Sequence, residues 1–290
     1  MSTLAVARAT EAEAPACLAL LPEARGFPAE LLIARRNGAL AGAAALAWQS
    51  WAKPCGFPLN VRVLPEHRRH GVGRALVEAA KALADGEIDG LWSLEPIELG
   101  GEAAAFAHAC GFTAARRQQF FQARTAAIGE RLRPTMERLR RSGRIPSGVR
   151  VVPLAEAPLH EVGWLVSAEF GGGPFRALST LTGRVANTGV STGDKSQVVI
   201  HDGRVAAVVL ARMDYGVGVV DGRVTAPGWR GDWPGALALD RVLERAEAEG
   251  VAEFRFHCDD DVRDTLAVAR KAGAREVATK ALFYYALSAA

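Results

Sequence analysis

One stretch of the chain brings glycines and cations together at a spacing suited to phosphate chemistry: Val61-Arg62-Val63-Leu64-Pro65-Glu66-His67-Arg68-Arg69-His70-Gly71-Val72-Gly73-Arg74-Ala75-Leu76. The alternation at Val61 and Val63 predicts a strand end, Pro65 to His70 a basic loop, and the apolar spacing after Gly71 a helix. A helix N-terminus carries unpaired N–H groups and partial positive charge, so it attracts phosphate. Glycines there let the backbone approach a pyrophosphate with no Cβ in the way. Arg68, Arg69, His70 and Arg74 add cationic donors around the same point. The dinucleotide pattern G-x-G-x-x-G is excluded, because Leu76 stands where its third Gly belongs. His67 and His70 read as phosphate neighbours rather than metal ligands. No metal site is expected, since Cys17, Cys55, Cys110 and Cys258 lie apart with no C-x-x-C pair. Reduced thiols, and with them a cytoplasmic setting, are the expectation.

The elements that must position this loop alternate strand and helix. Leu4–Arg8 reads as a strand and Thr10–Leu21 as a helix. Leu31–Arg36 and Ala39–Trp48 read as a hairpin turned at Asn37-Gly38, a dipeptide that accepts positive φ at little cost. Leu59–Leu64 is a strand, Gly71–Ala84 a helix, Leu91–Glu95 a strand, Glu102–Cys110 a helix and Phe112–Ala123 a final strand. The second half follows the same order. Val151–Leu154 is a strand, a helix spans about Glu156–Phe170, and a Gly-rich segment runs to about Asp194. A hairpin turns at Asp202-Gly203, and strands follow at about Val217–Thr225 and Glu253–His257. Helices cover Pro234–Glu249 and Asp261–Ala272, and Leu282–Leu287 closes the chain.

That order is a duplication. Pro65 maps to Pro227, Arg68 to Arg230, Gly73 to Gly235 and Gly111 to Gly273, each at an offset of 162. The hairpin glycines Gly38 and Gly203 differ by 165, which implies small insertions earlier on. The expected domains are 1–126 and 150–290, joined by a connector at 127–149. With 49% hydrophobic and 23% charged residues, each half can build its own core. The net charge of +3 hides an asymmetry: residues 127–150 hold 7 Lys/Arg against 2 Asp/Glu, and neither flanking half is basic enough to suggest nucleic acid. The Arg-rich connector reads as a solvated helix face. No apolar run reaches the ~18–20 residues of a membrane helix, and the start lacks the pattern of a secretory signal.

On these residues the sequence resembles the GNAT superfamily of CoA-dependent N-acyltransferases. Arg68-x-x-Gly71-x-Gly73 matches the family's [RQ]-x-x-G-x-[GA] pyrophosphate loop, and Glu102–Phe112 resembles its later helix ending in Gly-Phe. The resemblance covers residues 4–125 in full and about 150–288 more weakly. It implies an α/β chain (of the α+β type) of two tandem GNAT folds, each a mixed, mostly antiparallel twisted sheet flanked by helices. It also implies acetyl-CoA as co-substrate, lodged between the strands at Val61–Val63 and Leu91–Glu95. Backbone groups of Val61, Arg62 and Val63 would bind pantetheine and the thioester oxygen, while Arg68, Arg69, His70, Gly71, Val72, Gly73 and Arg74 cradle the pyrophosphate.

The second copy of the loop, Pro227-Gly228-Trp229-Arg230-Gly231-Asp232-Trp233-Pro234-Gly235, opposes phosphate. Trp233 replaces the first required Gly, Pro234 removes an N–H donor, and Asp232 adds a carboxylate. This half reads as a structural partner completing a pseudo-dimer, with a different ligand near Trp229, Trp233 and Asp221 as the alternative. Acid–base candidates are few. Many GNAT enzymes place an acid near Leu59 or Asn60, where neither residue ionises here. Glu95 is the general-base candidate, with a solvated strand end as its bland reading. The family's thiolate acid, a Tyr, is replaced by Ala107 in one half and Ala269 in the other. His108 and Cys110 are expected to face elsewhere on their helix. Trp48, Trp51 and Phe57 are candidates for the rim of an acceptor pocket, although aromatics at strand ends more often simply pack. The resulting expectation is transfer of acetyl to a primary amine of a small molecule or peptide, by a monomeric pseudo-dimer or a homodimer. Loss of the Tyr keeps open a CoA-binding or sensing protein with little turnover.

Overall fold

The computed structural model describes residues 3–25, 28–48, 55–170, 177–178, 180–183, 195–260 and 263–287. Residues 1–117 together with 280–290 form one compact unit, and residues 118–279 form the other.

The first unit opens with β1 (Leu4–Arg8), α1 (Ala14–Leu20), β2 (Ala29–Arg36), β3 (Ala39–Ala47) and β4 (Phe57–Val63). The helix α1 is shorter than its apolar pattern predicts. The Glu13 carboxylate folds back to accept from the Thr10 N–H and hydroxyl, both at 2.8 Å, so the chain turns before the helix begins at Ala14-Pro15. The hairpin between β2 and β3 turns where expected, with Asn37 at φ 52° and Gly38 at φ 81°. Six of the nine residues of the strand β3 are alanine, and both of its faces are covered. Ala43 and Ala45 pack with Cys17 and Leu21 below the sheet, whereas Ala41, Ala44 and Leu46 pack with the helix above it. That helix is α2 (Val72–Ala84), which buries Val72, Leu76, Val77, Ala80 and Ala84 at helical spacing. Then come β5 (Gly90–Ser93), the short β6 (Ile97–Glu98), α3 (Glu102–Ala109) and β7 (Thr113–Arg124). The strands β1 to β4 are antiparallel in order, and β5 lies parallel to β4.

The second unit repeats this plan. It contains α4 (Thr125–Arg141), β8 (Arg150–Pro153), α5 (Leu159–Phe170), β9 (Gln197–His201), β10 (Arg204–Asp214), β11 (Val217–Thr225), α6 (Trp233–Ala248), β12 (Glu253–Asp259), α7 (Arg263–Lys271) and the start of β13 (Arg275–Ala286), whose residues from Lys280 onward belong to the first unit. The strands β8 to β11 are antiparallel and β12 is parallel to β11. The hairpin at Asp202-Gly203 forms as expected, and a second turns at Tyr215-Gly216, with φ 46° and 81°. Most of the Gly-rich segment up to Asp194 lies outside the described residues.

Two features depart from the sequence expectation. The segment 127–149, expected as a connector, is largely a core element. Ile128 and Met136 are buried and Leu132 and Leu139 half-buried, on one stripe of α4 that packs with Leu237, Val242 and Leu243 of α6. Its arginines take the opposite, exposed face, and two of them reach carboxylates of α6: Arg133 bonds Glu247, and Arg140 bonds Asp240 at 2.9 Å. The second departure concerns the closing strands. Residues 1–126 and 150–290 were each expected to complete their own sheet. Instead the strand beside β5 in the first unit is the end of β13, with Tyr284 opposite Trp92 and Ala286 opposite Gly90. The strand beside β12 in the second unit is residues 118–124 of β7, with Phe256 opposite Phe121. An alternating pattern fixes which face of a strand is buried, not which neighbour it joins, so this assignment is invisible in the sequence.

Candidate functional site

After β4 ends at Val63, a single turn of 3-10 helix spans Pro65–His67 and Arg68 is extended, at φ −67° and ψ 155°. Arg69 takes φ 62° and Gly71 φ 81°. Gly71 is the residue before the first turn of α2, and no side chain caps that helix. Its first N–H groups are therefore free of side-chain acceptors and available to an external anion. Gly71 has no protein atom within 4 Å of the place a Cβ would occupy, so its constraint is the backbone angle alone. Arg68, Arg69, His70 and Arg74 are all exposed. Arg68 Nε donates to Val63 O at 3.4 Å, and Arg74 Nη2 to Ala109 O at 3.3 Å. Val72 is buried, so only its backbone can serve an anion.

A cleft of about 350 Å³ opens between β4 and β5. The parallel register of β4 and β5 stops at Leu59 opposite Ser93, with Leu94 N bonding Leu59 O at 2.9 Å. Beyond that point the strands part. Asn60, Val61 and Arg62 line one side, Leu94, Glu95 and Pro96 the other, and Phe106, Ala107, Cys110 and Phe283 complete the wall. Phe106 joins cleft to loop, since a Cβ on Gly73 would stand 2.9 Å from Phe106 Cζ. At about 3.3 Å per residue, the cleft runs roughly 10 Å along β4 from Arg62 to Leu59.

Glu95 lies on the cleft wall, exposed, with no hydrogen bond or ion pair among the described residues. A second carboxylate, which the sequence reading missed, stands near β4. Glu23, in the turn after α1, accepts from Arg62 Nη2 at 2.6 Å and from Asn60 Nδ2 at 3.2 Å. Burial pushes the Glu23 carboxyl up, but a backbone hydrogen bond, the Arg62 charge and the Asn60 amide outweigh it and hold it below the usual carboxylate range. Thus the Arg62 side chain turns toward Glu23, which leaves its backbone to the cleft. Glu23 lies 37 residues before Asn60, and no local pattern could have joined them. Cys110, expected to face elsewhere, lines the cleft, and burial pushes its thiol up. His108 does turn aside, with Nδ1 at 3.1 Å from Phe112 O and its ring edge-on to Phe283. Trp48 packs edge-on against Phe57 outside the cleft lining, and Trp51 lies outside the described residues.

The loop of the second unit keeps the backbone path and changes its electrostatics. A 3-10 turn at Pro227–Trp229 leads to an extended Arg230 and to Gly231 at φ 77°. Here the helix starts one residue early, at Trp233, and the Asp232 carboxylate caps it by accepting from Trp233 N at 2.9 Å. Asp232 also pairs with Arg144 at 3.0 Å, and Arg230 with Glu169 at 2.7 Å. Trp233 is buried against Trp229 and His201, which takes it out of any surface pocket.

The profile of the Acetyltransferase (GNAT) family matches residues 5–112. No curated protein sequence matches the chain. Among solved structures, a tandem GNAT protein from the clavulanic acid biosynthesis pathway is 18% identical, with a TM-score of 0.64 and all of both chains covered. A GCN5-related N-acetyltransferase from Sphaerobacter thermophilus is 15% identical at a TM-score of 0.64, covering 99% of this chain and 96% of that one. Eis1 from Mycobacterium abscessus is 16% identical at 0.56, covering 98% and 74%. These likenesses show the fold over the whole length, with two copies in tandem, and the Acetyltransferase (GNAT) family profile falls on residues 5–112.

Proposed function

We propose that the protein is an N-acyltransferase that takes acetyl from acetyl-CoA in its first unit and passes it to a primary amine of a small molecule or peptide. The observation that carries this reading is the continuity of an uncapped helix start at Gly71 with the β4–β5 cleft, through the contact of Gly73 and Phe106. The donors fit the co-substrate. Free N–H groups at the start of α2 suit a pyrophosphate. Among the described residues no carboxylate pairs with Arg68, Arg69 or Arg74, so their charge remains for an anion. When bound, acetyl-CoA supplies the activated acyl group. The residues of the chain supply the rest: backbone groups of Val61–Val63 orient the acyl carbonyl, and Glu95 takes the amine's proton directly or through a water. The second unit, with its own carboxylate at the helix start, serves as a structural partner. A cytoplasmic setting fits the four free cysteines. Calorimetry with acetyl-CoA, followed by turnover against a panel of amines, tests the reading. It predicts saturable binding and release of CoA dependent on an amine.

A second reading, CoA binding or sensing with little turnover, is favoured by one observation: Ala107 lines the cleft where the family's Tyr would stand. Tight acetyl-CoA binding with no amine-dependent release of CoA would select it.

A further inference from the structure

Ser93 closes the crotch of the cleft. It is the last residue of β5, paired with Leu59 in the final register position before the strands part. It is 9% exposed and lines the cleft, where it carries the only hydroxyl among the described lining residues. Its orientation is set from behind, because the backbone N–H of Phe283 donates to Ser93 Oγ at 3.0 Å. That bond uses a lone pair and turns the hydroxyl proton away from Phe283, and among the described residues no protein atom accepts the proton. The surrounding wall is apolar, formed by Leu59, Val77, Phe112 and Phe283. A buried donor left without an acceptor is costly, so the position makes sense if a ligand atom supplies the acceptor. The alternatives along the cleft are poor donors. Ala107 offers a methyl, Asn60 directs its amide to Glu23, and Glu95 and Glu98 are carboxylates that accept.

We propose that Ser93 is a catalytic residue of the transfer, its hydroxyl donating a hydrogen bond to the sulfur of the departing CoA thiolate. This rests on the reading of the cleft as the acetyl-CoA site. In the step, the amine nitrogen forms a bond to the acyl carbon and the C–S bond breaks, its electron pair going to sulfur. The amine's proton leaves to Glu95 or water. The Ser93 proton stays on oxygen, because a hydroxyl is a much weaker acid than a thiol. The thiolate, its charge lowered by that hydrogen bond, takes a proton from water after it departs. Ser93 thus fills, from the strand, the place that Ala107 leaves empty on the helix.

The test compares CoA with desulfo-CoA, which lacks the thiol, by calorimetry on the full chain from about pH 7 to about pH 9.5, across the ordinary thiol range. In the wild type, CoA should gain affinity over desulfo-CoA by about tenfold as the pH rises, in line with a hydrogen bond to a charged group. Ser93→Ala should flatten that gain to below about threefold, while desulfo-CoA binding stays unchanged. Ser93→Thr, which keeps both the hydroxyl and the acceptor for Phe283 N–H, should retain the gain. Thermal melts of Ser93→Ala separate this from misfolding, and desulfo-CoA affinity reports an intact cleft in the same sample. A gain in Ser93→Ala equal to that of the wild type would overturn the proposal, including the case in which the variant loses turnover by serving the carbonyl oxygen instead. If neither ligand binds the wild type, the reading of the cleft fails and this proposal with it.

Discussion

Phe106 occupies the space that a side chain on Gly73 would need: a Cβ there would stand 2.9 Å from Phe106 Cζ and 3.0 Å from Cε2. Any side chain there would have to displace that exposed ring. Gly73→Ala should weaken acetyl-CoA binding by shifting the ring that joins loop to cleft, with a stability loss below about 1 kcal/mol, because the exposed ring can move aside. Phe106→Ala in the same chain should recover part of both losses. Urea unfolding and calorimetry on the two single variants and the double variant measure that coupling; strict additivity would remove the contact from the account.

One acetyl-CoA should bind per chain. At the second loop Asp232 already holds the helix N–H and Arg144, and Arg230 is paired with Glu169. A calorimetric stoichiometry of two equivalent sites would contradict the assignment of the second unit as a partner.

Gly71 sits at φ 81°, which costs a side-chain-bearing residue about 1–2 kcal/mol and is tolerated best by Asn. Gly71→Asn should keep acetyl-CoA binding within a few fold. Gly71→Trp places at this position the side chain that the second copy carries at Trp233, and it should abolish binding, beyond the ~1 kcal/mol of a helix-propensity change. A folded Gly71→Trp chain that binds normally would move the pyrophosphate elsewhere.

Glu95→Gln should lower kcat by roughly 10²–10⁴-fold with little change in acetyl-CoA affinity, since Gln keeps the size and cannot take the proton. The ascending limb of the wild-type pH–rate profile should vanish with it. An unchanged kcat and limb would assign the proton to bulk solvent, or to Glu23 beside Asn60 and Arg62.

Glu13 links stability to pH. The Arg35 hydrogen bond, followed by the bonds from Thr10 N–H and Oγ, lowers its carboxyl from 4.5 to about 2. A depressed folded-state value stabilises above the unfolded one, so this contribution is present above pH 4.5 and fades as the pH falls toward about 2. Melting temperatures followed from about pH 6 down to about pH 2.5 should fall less steeply in Glu13→Gln than in the wild type. Parallel curves would show that this part-buried pair contributes nothing.

Local features of the chain were readable because local chemistry sets them. Asn37-Gly38 and Asp202-Gly203 turn where positive φ is cheapest, and the stripe from Val72 to Ala84 is a helix by its spacing. The glycines and cations of the loop at Arg68–Arg74 could likewise be named before any geometry was known. What escaped the sequence is whatever depends on distant partners. Glu23 reaches Asn60 and Arg62 only after α1 and the turn that follows it have docked against the sheet that contains β4. The face that Cys110 presents depends on where α3 docks. The stripe of α4 has the same period whether it covers a core or floats as a connector, and only Ile128 and Met136 in place beside α6 decide between them.

Phe283 N reaches Ser93 Oγ across 190 positions of sequence, and that distance sets an order of events during synthesis. The strands β1 to β5 leave the ribosome first, but the segment beginning at Lys280 that lies beside β5 follows only after the whole of residues 118–279. At about 5–20 residues per second the wait is roughly 10–40 s, during which β5 has a bare edge open to pairing with another chain. The unit encoded first is completed last. A nascent chain stalled before Lys280 lacks the wall that holds Ser93, however much of the phosphate loop has already folded.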